Sequence, residues 1–190
     1  MIEKLFIKHI DKIFNDYNMK NMVSKKTYIN GGEIVAIPLF MNNDPKRRLK
    51  KEDYNKEFAF ARAIDESAGK ILIEIFNKTG VATTSINEII NSGLLMKPLY
   101  TIWSGVRKKR WKVIGNTPHY DKFIHSNYNE IQLVLGAIND LRVWHAKDNS
   151  ETPISREELI NGDYQLMGIY DYTQIEKKII EKINSFSIEL

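Results

Sequence analysis

The sequence contains no cysteine. Disulfides, thiolate–zinc sites and cysteine nucleophiles are therefore excluded together, and the absence fits a reducing compartment. Long apolar runs are missing as well. No stretch approaches the roughly 18 consecutive apolar residues of a membrane span. Near the N-terminus, Glu3, Lys4, Lys8 and Asp11 interrupt the apolar residues, so the unbroken segment of a signal peptide does not form. These absences lead us to expect a soluble, cytoplasmic protein with no membrane partner.

Chemistry-bearing motifs are equally scarce. The four histidines, His9, His119, His125 and His145, include no pair at metal-ligand spacing, and there is no His-Glu-x-x-His. Ser104-Gly105 lacks the preceding Gly-x of a hydrolase elbow. The glycines never gather into a phosphate-cradling loop. Glu157 and Glu158 are adjacent, so on a helix they point about 100° apart and cannot converge as an acid–base pair. Asp44, Asp53, Asp65 and Asp171 share no motif that would gather a divalent cation. The expectation is a protein without catalytic, cofactor or metal residues, working by binding.

Apolar residues make up 43% and charged residues 27% of the 190, an ordinary globular balance that lets one core form. The net charge of +4 and pI near 9.0 are mildly basic, which permits nucleic-acid binding without demanding it. Two clusters concentrate the basic charge: Lys46 to Lys51, and Arg107-Lys108-Lys109-Arg110. Trp103 and Trp111 flank the second. Cations interleaved with aromatics suit stacking on single-stranded nucleic acid. The alternative is a hairpin turn with solvated charges whose tryptophans anchor it to the core.

Patterning places the elements. Ile2, Phe6, Ile10, Ile13 and Tyr17 recur at helical spacing and predict an amphipathic helix within residues 1–20. Asn30-Gly31-Gly32 signals a turn before the β-rich run Glu33 to Phe40, in which Pro38 marks an edge strand or a strand end. Residues 41–55 read as a long polar loop or frayed helix. Phe58, Phe60, Arg62 and Ile64 alternate with Ala59, Ala61 and Ala63, giving one large and one small face. After Ser67-Ala68-Gly69, Ile71, Ile73 and Ile75 alternate with Leu72, Glu74 and Phe76, so the two runs predict a β-hairpin. The small face would let another element approach closely.

Further along, Ser85 to Glu88 and Ser155 to Glu158 read as capping boxes of short helices. Pro98 to Trp103, Arg110 to Ile114, Ile131 to Leu135, Leu141 to Ala146 and Tyr164 to Ile169 read as strands. Thr173 to Glu176 caps a final helix whose stripe is Ile175, Ile179, Ile180 and Ile183. The predicted class is α+β: a mainly antiparallel sheet, or a partly open barrel, between terminal helices. One domain is expected over 1–190, with the N-terminal helix at 1–20, the β-rich core at 28–170 and the C-terminal helix at 171–190.

The order of four segments resembles a known family. They are Gly31-Gly32-Glu33-Ile34-Val35-Ala36-Ile37-Pro38-Leu39, then Phe58-Ala59-Phe60-Ala61-Arg62, then Ile71 to Phe76, then Lys109-Arg110-Trp111-Lys112-Val113-Ile114-Gly115-Asn116. This succession resembles the immunity protein 26 family of bacterial polymorphic toxin systems, over roughly residues 28 to 170. The resemblance implies a mostly β domain that neutralises a cognate toxin by direct binding, without catalysis. It casts Pro38, Phe58, Phe60, Trp111 and Gly115 as structural. Arg62, a charge on the large-residue face, needs an internal salt bridge or a binding groove. The basic residues Arg107, Lys108, Lys109 and Arg110 are the candidate partner contacts, suited to an acidic toxin surface or, alternatively, to nucleic acid.

Overall fold

A computed structural model describes residues 29–186 apart from 42, 68 and 103. The expected N-terminal helix and Trp103 lie outside the described residues. The described part is α+β, with two open sheets and no closed barrel.

Turn chemistry builds the centre of the larger sheet. Strand β1 (Glu33–Pro38) follows the Gly31-Gly32 turn, and Gly32 has φ of 86°, a left-handed value that suits glycine. Strands β2 (Phe58–Ser67) and β3 (Lys70–Gly80) form the predicted hairpin, with Ser67 opposite Lys70. Helix α1 (Ile86–Ile90) then leads into β4 (Leu94–Ile102), which pairs with β3. Helix α2 (Ser104–Arg107) follows, and β5 (Lys112–Asn116) pairs with β1.

Past the single turn α3 (Lys122–His125), the smaller sheet is built from β6 (Gln132–Ala137), β7 (Asp140–His145) and β8 (Ser150–Pro153). After α4 (Arg156–Asn161) comes a pair of two-residue strands, β9 (Gln165–Leu166) and β10 (Ile169–Tyr170), and then α5 (Tyr172–Phe186). The strand orders are β10-β4-β3-β2-β1-β5 and β8-β7-β6-β9. Among the described residues, only β10 against β4 and β9 against β6 run parallel.

Several expectations change. The segments at 98–103 and 110–114 do not form a hairpin. β4 and β5 lie on opposite sides of the hairpin, because the pairing of β1 with β2 leaves β1's other edge open to β5. β1 is an interior strand, so Pro38 marks a strand end and not an edge. The expected strand at 164–169 splits, and its halves join different sheets. Helix α1 begins after Ser85, whose side chain makes no capping bond. The second capping box is present: Ser155 Oγ accepts from Glu158 N at 3.1 Å and Glu158 returns the bond at 2.8 Å.

The alternation in β2 sorts the core. Ala59, Ala61 and Ala63 share a layer with Ile71, Ile73 and Ile75, and Ile175 and Ile179 of α5 pack into it. The small face thus receives the C-terminal helix, as close approach requires. On the opposite face, Phe58 and Phe60 pack beneath Ile89 of α1. Farther along that face, Ile64 and Leu72 meet Leu133 and Trp144 of the smaller sheet.

Candidate partner-binding surface and inter-sheet cleft

The two basic clusters, far apart in sequence, meet on one surface. Leu49 N donates to the Lys109 carbonyl at 2.9 Å, and Tyr172 Oη donates to the Pro45 carbonyl at 3.0 Å. Beneath them sits Arg110, which is 1% exposed. Its Nε and Nη2 donate to both oxygens of Glu176 at 2.7 and 2.6 Å. Nη1 reaches the Asp44 carbonyl and Nη2 the Met41 carbonyl, each at 2.6 Å. Trp111 Nε1 also donates to Glu176, at 3.0 Å. One buried carboxylate on α5 therefore holds both loops.

Arg110 is thus corrected from a partner contact to an internal lock, since its donors are spent inside. Arg107, Lys108 and Lys109 remain exposed beside it. Lys109 holds φ of 58°, which lets the chain turn back between α2 and the buried arginine. Lys46, Arg48, Lys50 and Lys51 are exposed on the other loop. Among the described residues, Lys46, Arg48, Lys51, Arg107 and Lys109 have no ion-pair partner. Arg47 is occupied, pairing with Asp53 at 2.5 Å. Asp53 is fully buried, which alone would raise its pKa. Hydrogen bonds from Lys56 and the Lys50 backbone, with the charges of Arg47 and Lys56, bring it below the usual carboxylate range.

Trp111 is 3% exposed and packs on Gly105, where an added Cβ would lie 2.5 Å from the indole. Its ring is thus unavailable for stacking on bases. Phe58 and Phe60 are in the core, and Gly115 faces Ile34 across β1 and β5. A Cβ there would meet the Ile86 side chain at 2.9 Å.

Arg62 is 2% exposed and paired internally. Its Nε donates to Glu74 Oε1 at 2.6 Å and its Nη1 to Thr117 Oγ1 at 3.2 Å, while Nη2 donates to the His125 carbonyl. The guanidinium lies 5.3 Å from the centroids of both the Phe76 and Tyr120 rings. The partner, Glu74, was visible in the sequence only as an acid in an apolar run. This pair also lines a cleft of about 360 Å³ between the sheets, walled by Phe76, Leu94, Pro98 and Ile131. The cleft is a site that sequence reasoning missed, because its walls come from segments with no shared motif.

Among the described residues, no group of three or more His, Asp or Glu side chains could hold a metal ion. No described helix is long and apolar enough to cross a membrane. What stands out is an α+β scaffold with a stitched basic surface on one side and a cleft on the other. The family model for Immunity protein 26 matches residues 30–140. The chain belongs to the immunity protein 26 family and so is an immunity protein of a toxin system. No curated protein and no solved structure matches it.

Proposed function

We propose that the chain neutralises a cognate bacterial toxin by direct binding in the cytoplasm, without catalysis. Family membership carries this reading. The basic surface formed by Lys46, Arg48, Lys51, Arg107, Lys108 and Lys109 is the proposed contact. Its cations are exposed and held on loops anchored by a buried ion pair. Such a surface suits an acidic face on the toxin, where charge complementarity speeds encounter and sets specificity.

If a toxin gene lies beside this chain's gene, co-expression with that toxin is expected to rescue growth, through a complex that purifies intact. Reversing the charges at Lys46, Arg48, Arg107 and Lys109 should weaken that complex by about tenfold or more, mainly through slower association, with thermal stability unchanged. No rescue would overturn the neutralisation reading. Rescue with affinity unchanged by charge reversal would overturn only the location. A salt-steep affinity for single-stranded nucleic acid, lost in the same variant, would favour the nucleic-acid alternative. The buried Trp111 ring speaks against that alternative.

A further inference from the structure

The floor of the inter-sheet cleft carries an unusual feature, a buried carboxylate with one oxygen unused. Glu74 is 2% exposed. Its Oε1 accepts from Arg62 Nε and from Ser126 Oγ, both at 2.6 Å. Its Oε2 has no hydrogen-bond partner among the described residues. Yet Oε2 is not sealed in apolar surroundings. The Ser104 hydroxyl is the one fully enclosed side-chain polar atom without a partner among the described residues. Oε2 therefore keeps some accessible surface, and the cleft that Glu74 lines is the open space next to this residue.

The charge balance sets the sign of what belongs there. The lining contains the cations Arg62 and Lys97 and the anions Glu74, Glu130 and Asp163. Both cations are engaged, Arg62 with Glu74 at 2.6 Å and Lys97 with Asp163 at 2.8 Å. The unused acceptor capacity is therefore anionic: Glu74 Oε2 below and the exposed Glu130 at the rim. The walls beside it are flat and apolar, from Phe76, Leu94 and Pro98.

We propose that this cleft binds a guanidinium group, that of an arginine. A planar, weakly hydrated guanidinium enters a half-apolar cleft at lower desolvation cost than a compact ammonium, and its stem can lie along apolar walls. One N–H pair would donate to Glu74 Oε2, a charge-assisted bond, and leave Arg62 on the other oxygen. The carboxylate then bridges two guanidinium groups, one built into the fold and one brought by the ligand. A cleft of about 360 Å³ is large enough for one such side chain.

The test titrates the full-length protein with N-acetyl-arginine amide, followed by backbone amide NMR shifts at Gly93, Ser126 and Asn127. The proposal expects saturable shifts there, and none with the isosteric but uncharged N-acetyl-citrulline amide. Glu74→Gln and Leu94→Trp should each weaken binding by about tenfold or more. Leu94→Trp fills the mouth and leaves the Arg62–Glu74 pair intact, so it decides the matter if Glu74→Gln fails to fold. Tighter binding of free arginine than of the blocked amide would support the site with a metabolite as its source. The reverse preference would support it with a protein side chain. Equal binding of the citrulline probe, no saturable shift, or unchanged binding in Leu94→Trp would each overturn the proposal. None of these results bears on toxin neutralisation, which the co-expression assay reads separately.

Discussion

Arg110 and Glu176 lie 66 residues apart, and they form a two-bond ion pair buried beneath the basic loops. Each side chain is about 2% exposed, so neither can turn to water if the other is lost. Glu176→Ala would strand a buried guanidinium and the Trp111 N–H together. Urea denaturation is expected to show a loss of about 3–5 kcal/mol, and a loss near zero would show that the pair is not a lock. Two phenols make a second residue-scale prediction. Burial pushes Tyr100 up to about 12, helped by the nearby Tyr128 and Asp65. Burial also pushes Tyr120 up to about 12, against the lowering influence of Ser126 and Arg62. Because the folded values exceed the ordinary 10.0, the native state holds these protons after the unfolded chain has released them. Stability from this source is complete below pH 10 and falls as pH rises from about 10 to 12. Phenolate absorbance should show Tyr100 and Tyr120 titrating late, together with Tyr128, which burial also raises, with the denaturation midpoint dropping over the same range. Arg62 shows how far its own residue type could be read. A charge in an apolar alternation demands a partner, and the pair exists. Its identity was hidden by a β-bulge between Ala63 and Asp65. Counting straight back from the Ser67–Lys70 turn would set Arg62 opposite Ile75, whereas the bulge sets it opposite Glu74.

At the scale of elements, helix caps separate what a motif promises from what it delivers. The sequence around α5 reads as a capping box at Thr173 and Glu176. In the fold the box lies two residues earlier, at Asp171 and Gln174. Asp171 Oδ1 accepts from Thr173 N at 2.7 Å and Gln174 N at 3.0 Å, and Gln174 Oε1 accepts from Asp171 N at 2.9 Å. Glu176 cannot serve the cap because it is committed to Arg110. Burial works to raise the Asp171 pKa, but the bonds from the Thr173 side chain and the two backbone N–H groups hold it below the usual carboxylate range. Asp171→Ala should cost about 0.5–2 kcal/mol, the ordinary loss of an N-cap. Ser85→Ala at the start of α1 should cost less, since Ser85 makes no side-chain capping bond. Parallel thermal melts of the two variants check the order. The β2–β3 hairpin was legible because period-2 alternation and a glycine turn are local signals. The β4–β5 relation was not, because adjacent strand-like runs joined by a short basic segment look like a hairpin whether or not they pair. Only the competition for β1's open edge decides it.

Over the whole molecule, the two sheets are tied rather than merely adjacent. Ile64 and Leu72 of the larger sheet share a core with Leu133 and Trp144 of the smaller one. The segment from β9 to β10 pairs with β6 in one sheet and β4 in the other within six residues, 165–170. We therefore propose that the described region unfolds as one unit. Tryptophan fluorescence and far-ultraviolet circular dichroism should trace coincident urea transitions, and separated midpoints would divide the chain into two domains. The sequence by itself determined the α+β class, the central hairpin with its large and small faces, and the family, because alternation, turn residues and motif order are properties of neighbours along the chain. Tertiary structure alone decided that the two basic clusters form one surface, that Arg110 lies beneath it and not upon it, and that Glu74 sits beside Arg62 at the floor of a cleft. These depend on strand order, register and which helix covers which face, and such choices are made by burial energies among segments that share no local signal.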